Sequence, residues 1–325
     1  MSTQASTPVR PTAPDAVTTA LALAITAWGG DGAGRSDQAK SGGAGKVTVT
    51  DATATELEVT ARPAKLVTLS EIDLDSALAL DVKPIGLTAG RGQKGAPEYR
   101  AGRPGDRPVA SAVTGTDIEK VLRTKPDISL AGQLADHKVL QQLKAIAPTV
   151  VTIAQDKDWK KALDLTGRAL GKQNEATAFV AGYDAKVAEL KKKLGSNAGA
   201  TVSVARYSAK GTAVMQQGVF ISDVLKDLGF KRPGIQNERG QGHSTPISDE
   251  DIKQIEGDWP FIGTLAAKGK DADLFAELKN KPAYRQVGAV RDGHVTEIDG
   301  SKRNSLGGGL AAMSVLEDID KAMTT

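Results

Sequence analysis

NEATAFVAGYDAKVAELKKKLG, residues 174–195, is the stretch that decides the architecture. Phe179, Tyr183, Val187, Leu190 and Leu194 recur at steps of four, four, three and four, which puts them on one face of a helix. Asn174 is expected to cap it, Glu175 to open its first turn and Gly195 to stop it. About twenty-one residues at 1.5 Å each give a rod of ~31 Å, enough to span a small domain. The tract Lys191 to Lys193 suits the negative end of the helix dipole.

On both sides of this rod the chain alternates short apolar runs with helical patterns, the pattern of parallel sheets wrapped by helices. Upstream, KLVTL (65–69), PIGLT (84–88), DISLAG (127–132) and PTVVTI (148–153) read as strands, with helices over 72–80, 117–124 and 136–146. The strands are nearly all apolar, as strands buried on both faces must be. Downstream, TVSVARY (201–207), PFIGTL (260–265) and HVTEI (294–298) read as strands and 218–230 as a helix. A closing helix carries Ala312, Leu316, Ile319 and Met323 on one face. The halves also echo each other. Glu119-Lys120-Val121 followed by Asp127 matches Glu250-Asp251-Ile252 followed by Asp258, both offset by 131, and ALALDVKPIG resembles LKDLGFKRPGI.

The fold class is therefore α/β: two similar lobes with parallel-rich sheets flanked by helices, joined by one long backbone helix. The expected divisions are a signal-like segment and Gly-rich tether at 1–45, an N-terminal lobe at 46–172, the linking helix at 173–196 and a C-terminal lobe at 197–325. A cleft between such lobes is a common ligand site.

Composition narrows the function. Lys and Arg number 42 against 39 acids, a net +3 without a concentrated basic field, so nucleic acid is not an expected partner. No cysteine is present, which removes disulfides, thiolate metal sites and cysteine nucleophiles together. His137, His243 and His294 are too far apart in sequence for a local ligand motif, and no metal site is expected. Residues 16–28, AVTTALALAITAW, form an uncharged run of thirteen that fits the core of an export signal and is too short to span a membrane. Seven glycines in the next seventeen positions make a tether. LAITAWGGDG looks like a bacterial lipobox with Trp28 where the acylated cysteine would stand, leaving no thiol to acylate.

Catalytic motifs fail on context. GRGQKG (90–95) satisfies the dinucleotide glycine spacing, but Pro97, Gly102 and Pro104 block the helix that must open there. GGAGKV (42–47) has Val47 where a P-loop needs Ser or Thr, and no G-x-S-x-G elbow exists. No catalytic residues are expected. What remains are loops after strands that carry arginines and aromatics: Arg91, Lys94, Tyr99 and Arg100; Arg206 and Tyr207; Lys302, Arg303 and Asn304. In open parallel sheets the carboxyl ends of strands line the crevice, so these side chains can converge. Arginine offers fixed donors to oxygen, and tyrosine a flat face with a polar tip. Trp259, at the entrance of a strand, reads as core.

On LVTLSEIDLDSALALDVKPIGL, IEKVLRTKPDISLAGQ, IAPTVV, VFISDVLKDLGFKRP, ISDEDIKQIEGDWPFIGTL and NSLGGGLAAMSVLEDI, the chain resembles the substrate-binding proteins of iron–siderophore ABC transporters. These form the helix-linked periplasmic-binding class that includes the ferric hydroxamate binders, and the likeness runs from about Val47 to the C-terminus. It implies a non-enzymatic, monomeric, lipoprotein-like carrier at the outer face of the cytoplasmic membrane, taking a ferrioxamine-like hydroxamate. The iron is already saturated by its chelator, so no protein cofactor or metal ligand is implied. Arg91, Tyr99, Arg206, Tyr207 and Arg303 would contact the chelate, with Gln133 and Gln216 as further donors. Glu119 and Glu250 would meet arginines of the membrane permease; as acids in first helical turns they would also be stabilised by the dipole. The unbroken helical linker implies limited lobe closure. Two other readings stay open: a haem or corrinoid carrier with Tyr99, Tyr207 or His243 as axial ligand, and a nucleotide-dependent enzyme using GRGQKG. Net charge also bears on ligand type, since anionic catecholates would want unbalanced positive charge in the cleft and ferrioxamines would not.

Overall fold

The computed structural model describes residues 45–324 apart from 101, 133–135, 154–156, 241, 266–267 and 304–306. The export-like run, Trp28 and the tether before Gly45 therefore lie outside the described residues, as do Gln133 and Asn304.

The body opens with an antiparallel hairpin of β1 (Lys46–Thr50) and β2 (Glu56–Thr60). Only Val49 and Val59 of these strands are buried, packed on α4 (Trp159–Leu170) through Leu165, Ala169 and Leu170. The N-terminal sheet follows. β3 (Leu66–Thr68) pairs in parallel with β7 (Ile128–Leu130), which pairs with β8 (Thr149–Val150). Every residue of these three strands is buried, as two covered faces require. A parallel bridge from Val67 to Gly86 continues the sheet to β4 (Leu87–Thr88), β5 (Val109–Ala112) and β6 (Gly115–Thr116). Helices α1 (Glu71–Ala79), α2 (Ile118–Thr124), α3 (His137–Ile146) and α4 cover it.

The linking helix α5 runs Gln173–Lys193, unbroken across Gly182. It begins one residue before the predicted cap. Lys172 occupies the capping position, and Asn174 lies inside the first turn, because α4 ends on left-handed Gly171 and Lys172 N–H already donates to Gly167 O. The C-terminal sheet has the order β10 (Gly211–Val214), β9 (Val202–Ser208), β11 (Trp259–Thr264), β12 (Thr296–Asp299), parallel except for the antiparallel edge strand β10. It is covered by α6 (Phe220–Asp227), α7 (Lys270–Leu278), the short α8 (Pro282–Arg285) and α9 (Gly288–Arg291), and α10 (Gly309–Met323). The predicted strand at 294–298 is shifted to 296–299.

The internal echo is structural. Asp127 Oδ2 accepts from Ala64 and Lys65 N–H at 3.0 Å each, just before β3, and Asp258 Oδ2 accepts from Thr201 N–H at 2.7 Å, just before β9. In both lobes the aspartate that precedes the neighbouring strand pins the start of the first strand. α1 and α6 also end alike: Asp81 and Gly229 have positive φ, and Val82 and Phe230 N–H reach back to Ala77 O and Leu225 O.

One continuous core joins Ile72 of α1 and Leu80 at its end, Leu163 of α4, Tyr183, Val187 and Leu190 of α5, Phe220 and Leu225 of α6 and Leu316 of α10. Helices on both sides of the linker thus share a single apolar mass, and Trp159 meets Tyr183 edge-on at 5.0 Å within it. Lys160 adds a polar clasp at its margin, bridging Asp184 of α5 and Asp227 of α6 at 3.0 and 3.3 Å.

Candidate functional site

The site is built at the carboxyl ends of β4 and β9, from loops that the two sheets turn toward each other. In the N-terminal lobe the GRGQKG segment is a closed turn, with Gly90 N–H donating to Gly95 O and Gln93 N–H to Gly90 O; only a 3-10 turn, Glu98–Arg100, follows it. No helix opens on these glycines, so the dinucleotide geometry is absent. The turn is held from below by Glu71, whose Oε1 accepts the Arg91 N–H at 2.5 Å. It also touches the other lobe: Gln93 Nε2 donates to Leu265 O at 3.1 Å.

Arg91 and Arg206 are brought together. Arg206, half-buried in β9, lies close enough to Arg91 of the opposite lobe for burial and that repulsion to hold its guanidinium below the ordinary value, against a weaker pull from Asp271. No hydrogen bond or ion pair to the Arg206 guanidinium occurs among the described residues, and Arg91 Nε is buried without an acceptor. A guanidinium disfavoured by burial and by a second arginine, beside a buried Nε without an acceptor, is an arrangement suited to oxygen-bearing negative charge.

Beneath them lies a buried network. Arg100, 1% exposed, donates from Nη1 to Glu71 O at 2.7 Å and pairs through Nη2 with Asp75 Oδ2 at 2.7 Å. Its guanidinium sits 4.5 Å from the Tyr99 ring centroid and donates to the Tyr99 hydroxyl, which itself donates to Asp75 Oδ2 at 3.2 Å. Burial works against the Arg100 charge, and the Asp75 carboxylate with Tyr99 and Glu71 more than offsets it, so its pKa is raised. Burial also raises Glu71, opposed by Arg100 and Arg91. In the same lobe burial pushes Asp73 up to about 6 although the Ser70 and Thr152 hydroxyls donate to it.

Asp75 does a second job. Its Oδ1 accepts from Leu310 N–H at 2.6 Å and its Oδ2 from Ala311 N–H at 3.1 Å, so a carboxylate on α1 caps the N-terminus of α10. The approach demands glycine, because a Cβ on Gly308 would stand 2.7 Å from the Asp75 side chain. The turn carrying Lys302 and Arg303 (Gly300–Arg303) leads into that helix; Lys302 pairs with Asp318 at 3.4 Å, and the Arg303 side chain lies outside the described residues.

Three expected ligand contacts are spent elsewhere. Tyr207 is 5% exposed and packs in the C-terminal core against Phe275, ring centroids 5.7 Å apart, on the face of β9 opposite Arg206. Gln216, also buried, donates from Nε2 to Ile235 O at 3.1 Å and packs on Gly240, so its amide holds a loop. The Tyr99 hydroxyl is committed to Asp75 and Arg100. His243 likewise has Nδ1 on Ser244 O at 2.8 Å. Trp259 is half-buried and stacks on exposed His294 at 4.3 Å, at the end of β11 remote from the arginines. Tyr207→Phe is expected to change ligand affinity by less than about twofold, within the scatter of substitutions remote from a contact, as calorimetry against the parent will check.

Glu71, Asp75 and their tie to Arg100 escaped the sequence reading. A signal was present: Glu71, Asp73 and Asp75 fall on a nine-residue helix that is apolar apart from them and Ser76 and is largely buried, and carboxylates there must find partners.

The two lobes, the long linking helix and the shared helical core define a class, the helix-linked, two-lobed binding proteins of α/β fold. The chain belongs to the periplasmic binding protein family, whose model matches residues 66–301, and is accordingly a binding protein and not an enzyme. It is 30% identical over 282 residues to the probable siderophore-binding lipoprotein YfiY of Bacillus subtilis (strain 168), covering 84% of this chain and 86% of that one. It is 30% identical over 194 residues to the iron(3+)-hydroxamate-binding protein FhuD of the same organism, covering 57% and 59%. Among solved structures, Staphylococcus aureus SirA complexed with staphyloferrin B superposes with a TM-score of 0.73 at 27% identity, covering 85% of this chain and 98% of that chain.

Proposed function

We propose that this chain is the extracytoplasmic substrate-binding component of an ABC importer, and that its ligand is a ferric siderophore bearing net negative charge. The observation that carries the choice of ligand is the half-buried Arg206, whose charge is disfavoured by burial and by Arg91 across the cleft, beside the buried Arg91 Nε that has no acceptor. A ferrioxamine-like hydroxamate, neutral or cationic, would leave that repulsion in place. Carboxylate or catecholate oxygens would relieve it while gaining charge-assisted hydrogen bonds. This charge balance favours an anionic chelate over the ferrioxamine-like hydroxamate expected from the resemblance. A haem carrier is disfavoured, because the Tyr99 and Tyr207 hydroxyls and the His243 ring are engaged or buried away from the arginines.

Glu119 and Glu250 serve as the permease-facing pair in this proposal. Both are exposed, Glu119 in the first turn of α2 and Glu250 just before a 3-10 turn (Ile252–Ile255) that leads to β11. They occupy equivalent places in the two lobes, each eight residues before its strand-pinning aspartate. The Glu119–Arg123 pair at 3.0 Å is an exposed i,i+4 contact worth about 0.3–0.5 kcal/mol, too little to oppose a partner arginine.

The test is isothermal titration with ferric citrate, a ferric catecholate, ferrioxamine B and ferrichrome, with the iron-free chelators as controls. Calorimetry is the better readout because Trp159 is buried between α4 and α5 and Trp259 is remote from the arginines. Saturable binding of an anionic ferric chelate, and weaker or no binding of ferrioxamine B, is expected. Tight binding of ferrioxamine B alone would overturn the charge argument, and silence toward every ferric chelate would overturn the carrier reading.

A further inference from the structure

A cation-lined pocket lies beside α6 in the C-terminal lobe. It has a volume of about 520 Å³ and is lined by Gln217, Ser222, Lys226, Phe230, Lys231, Arg232 and Asn237, without a carboxylate. Arg232 is the unusual member. It is 7% exposed, held by donation from Nη2 to Met215 O at 2.7 Å and to Gln236 Oε1 at 2.6 Å. Its Nε and Nη1 are buried with no acceptor. Burial, with no carboxylate opposing it, pulls its pKa down to about 10. The internal repeat sharpens the anomaly, since Lys83 stands before Pro84 as Arg232 stands before Pro233, and Lys83 is exposed. Neither Lys226 nor Lys231 makes a salt bridge among the described residues.

An uncompensated buried guanidinium is costly, and proteins pair such charges or give them ligands. Three cationic side chains around one pocket, one of them fixed and with donors to spare, suit a tetrahedral oxyanion, which offers acceptors in several directions at once. We propose that this pocket is an anion site for a phosphate- or sulfate-type group, separate from the siderophore cleft and independent of which ligand that cleft takes. The group can arrive as a free ion or on an anionic lipid headgroup.

The test uses the intact chain. Titration with sodium phosphate and sodium sulfate, against sodium chloride at matched ionic strength, is followed by thermal unfolding and calorimetry. Phosphate or sulfate is expected to raise Tm saturably beyond the chloride control. Lys226→Ala, an exposed-side change that spares the buried arginine, should weaken binding by about 10- to 100-fold, the scale of one charge-assisted contact. Arg232→Met should abolish the response while the ferric chelate still binds the cleft. Sedimentation with phosphatidylglycerol against phosphatidylcholine vesicles distinguishes the sources: an Arg232-dependent gain on the anionic vesicles assigns a headgroup, and response to phosphate without vesicle binding assigns a free ion. A response no larger than that of chloride, or one that survives Arg232→Met, overturns the proposal.

Discussion

Arg206→Ala should weaken ferric-chelate binding by about 10- to 100-fold, the loss expected when a charge-assisted contact worth about 1.5–3 kcal/mol is removed. It should do so without lowering the unfolding temperature. The two halves of this expectation rest on the same geometry. No described residue accepts a hydrogen bond from the Arg206 guanidinium, and after burial its largest influence is the repulsion of Arg91, which outweighs the pull of Asp271. Removing it costs the apoprotein no internal bond and relieves a like-charge contact. A core arginine would behave in the opposite way, losing stability first and function as a consequence. Arg91→Ala should give a comparable loss of affinity, and the double variant should lose less than the sum of the two if one anionic group bridges both. Arg206→Lys should recover part of the affinity, because it restores charge but not the planar fork. Calorimetric affinities beside thermal melts check each arm. Undiminished affinity in Arg206→Ala would remove the arginine from the site, and a large fall in Tm would make it a structural residue.

Much of this architecture can be read in the sequence, because the physics behind it is local. The spacing of Phe179, Tyr183, Val187, Leu190 and Leu194 admits a single element, and largely apolar runs such as Leu66–Thr68 and Ile128–Leu130 fit strands buried on both faces. The Asp127 and Asp258 echo foretells a repeated device whose purpose, pinning the first strand of each lobe, needs three dimensions to appear. Tyr207 fails for a reason that the sequence itself contains. Successive side chains of a strand point to opposite faces, so Arg206 and Tyr207 could not both face one cleft. The hairpin of β1 and β2 hides because Val49 and Val59 are its only buried residues, too weak an alternation beside a glycine-rich tether. The Asp75 network is invisible for a different reason. Its partners lie 25 residues away at Arg100 and 235 away at Leu310, and no periodicity links positions so distant.

That network sets the largest expected loss of stability. Asp75→Ala should destabilise the fold by about 3–5 kcal/mol, the range for removing one partner of a buried ion pair. Asp75 is fully buried, and three separate demands converge on its carboxylate: the Arg100 guanidinium, the Tyr99 hydroxyl and the first free N–H groups of α10 at Leu310 and Ala311. Alanine would leave Arg100 charged and uncompensated in a dry site and would uncap the helix that packs on α1 and α5. Asp75→Asn keeps an acceptor and should lose less, since it removes the charge while leaving the shape. The double variant Asp75→Ala with Arg100→Met should recover part of the loss, because the unpaired cation disappears, but not the portion owed to the helix cap, typically about 1 kcal/mol. Urea unfolding at pH 7 of the parent, Asp75→Ala, Arg100→Met and the double variant separates these contributions as a double-mutant cycle. Coupling near zero would mean that Arg100 and Asp75 act independently. Because the Asp75 partners reach from the Arg91 turn, through Glu71 and Arg100, to the helix that follows the Arg303 turn, Asp75→Ala should also loosen two cleft loops at once. Ligand affinity in this variant should therefore fall even under conditions where it remains folded, whereas Lys160→Met, at the back of the linker, should leave affinity near the parent value.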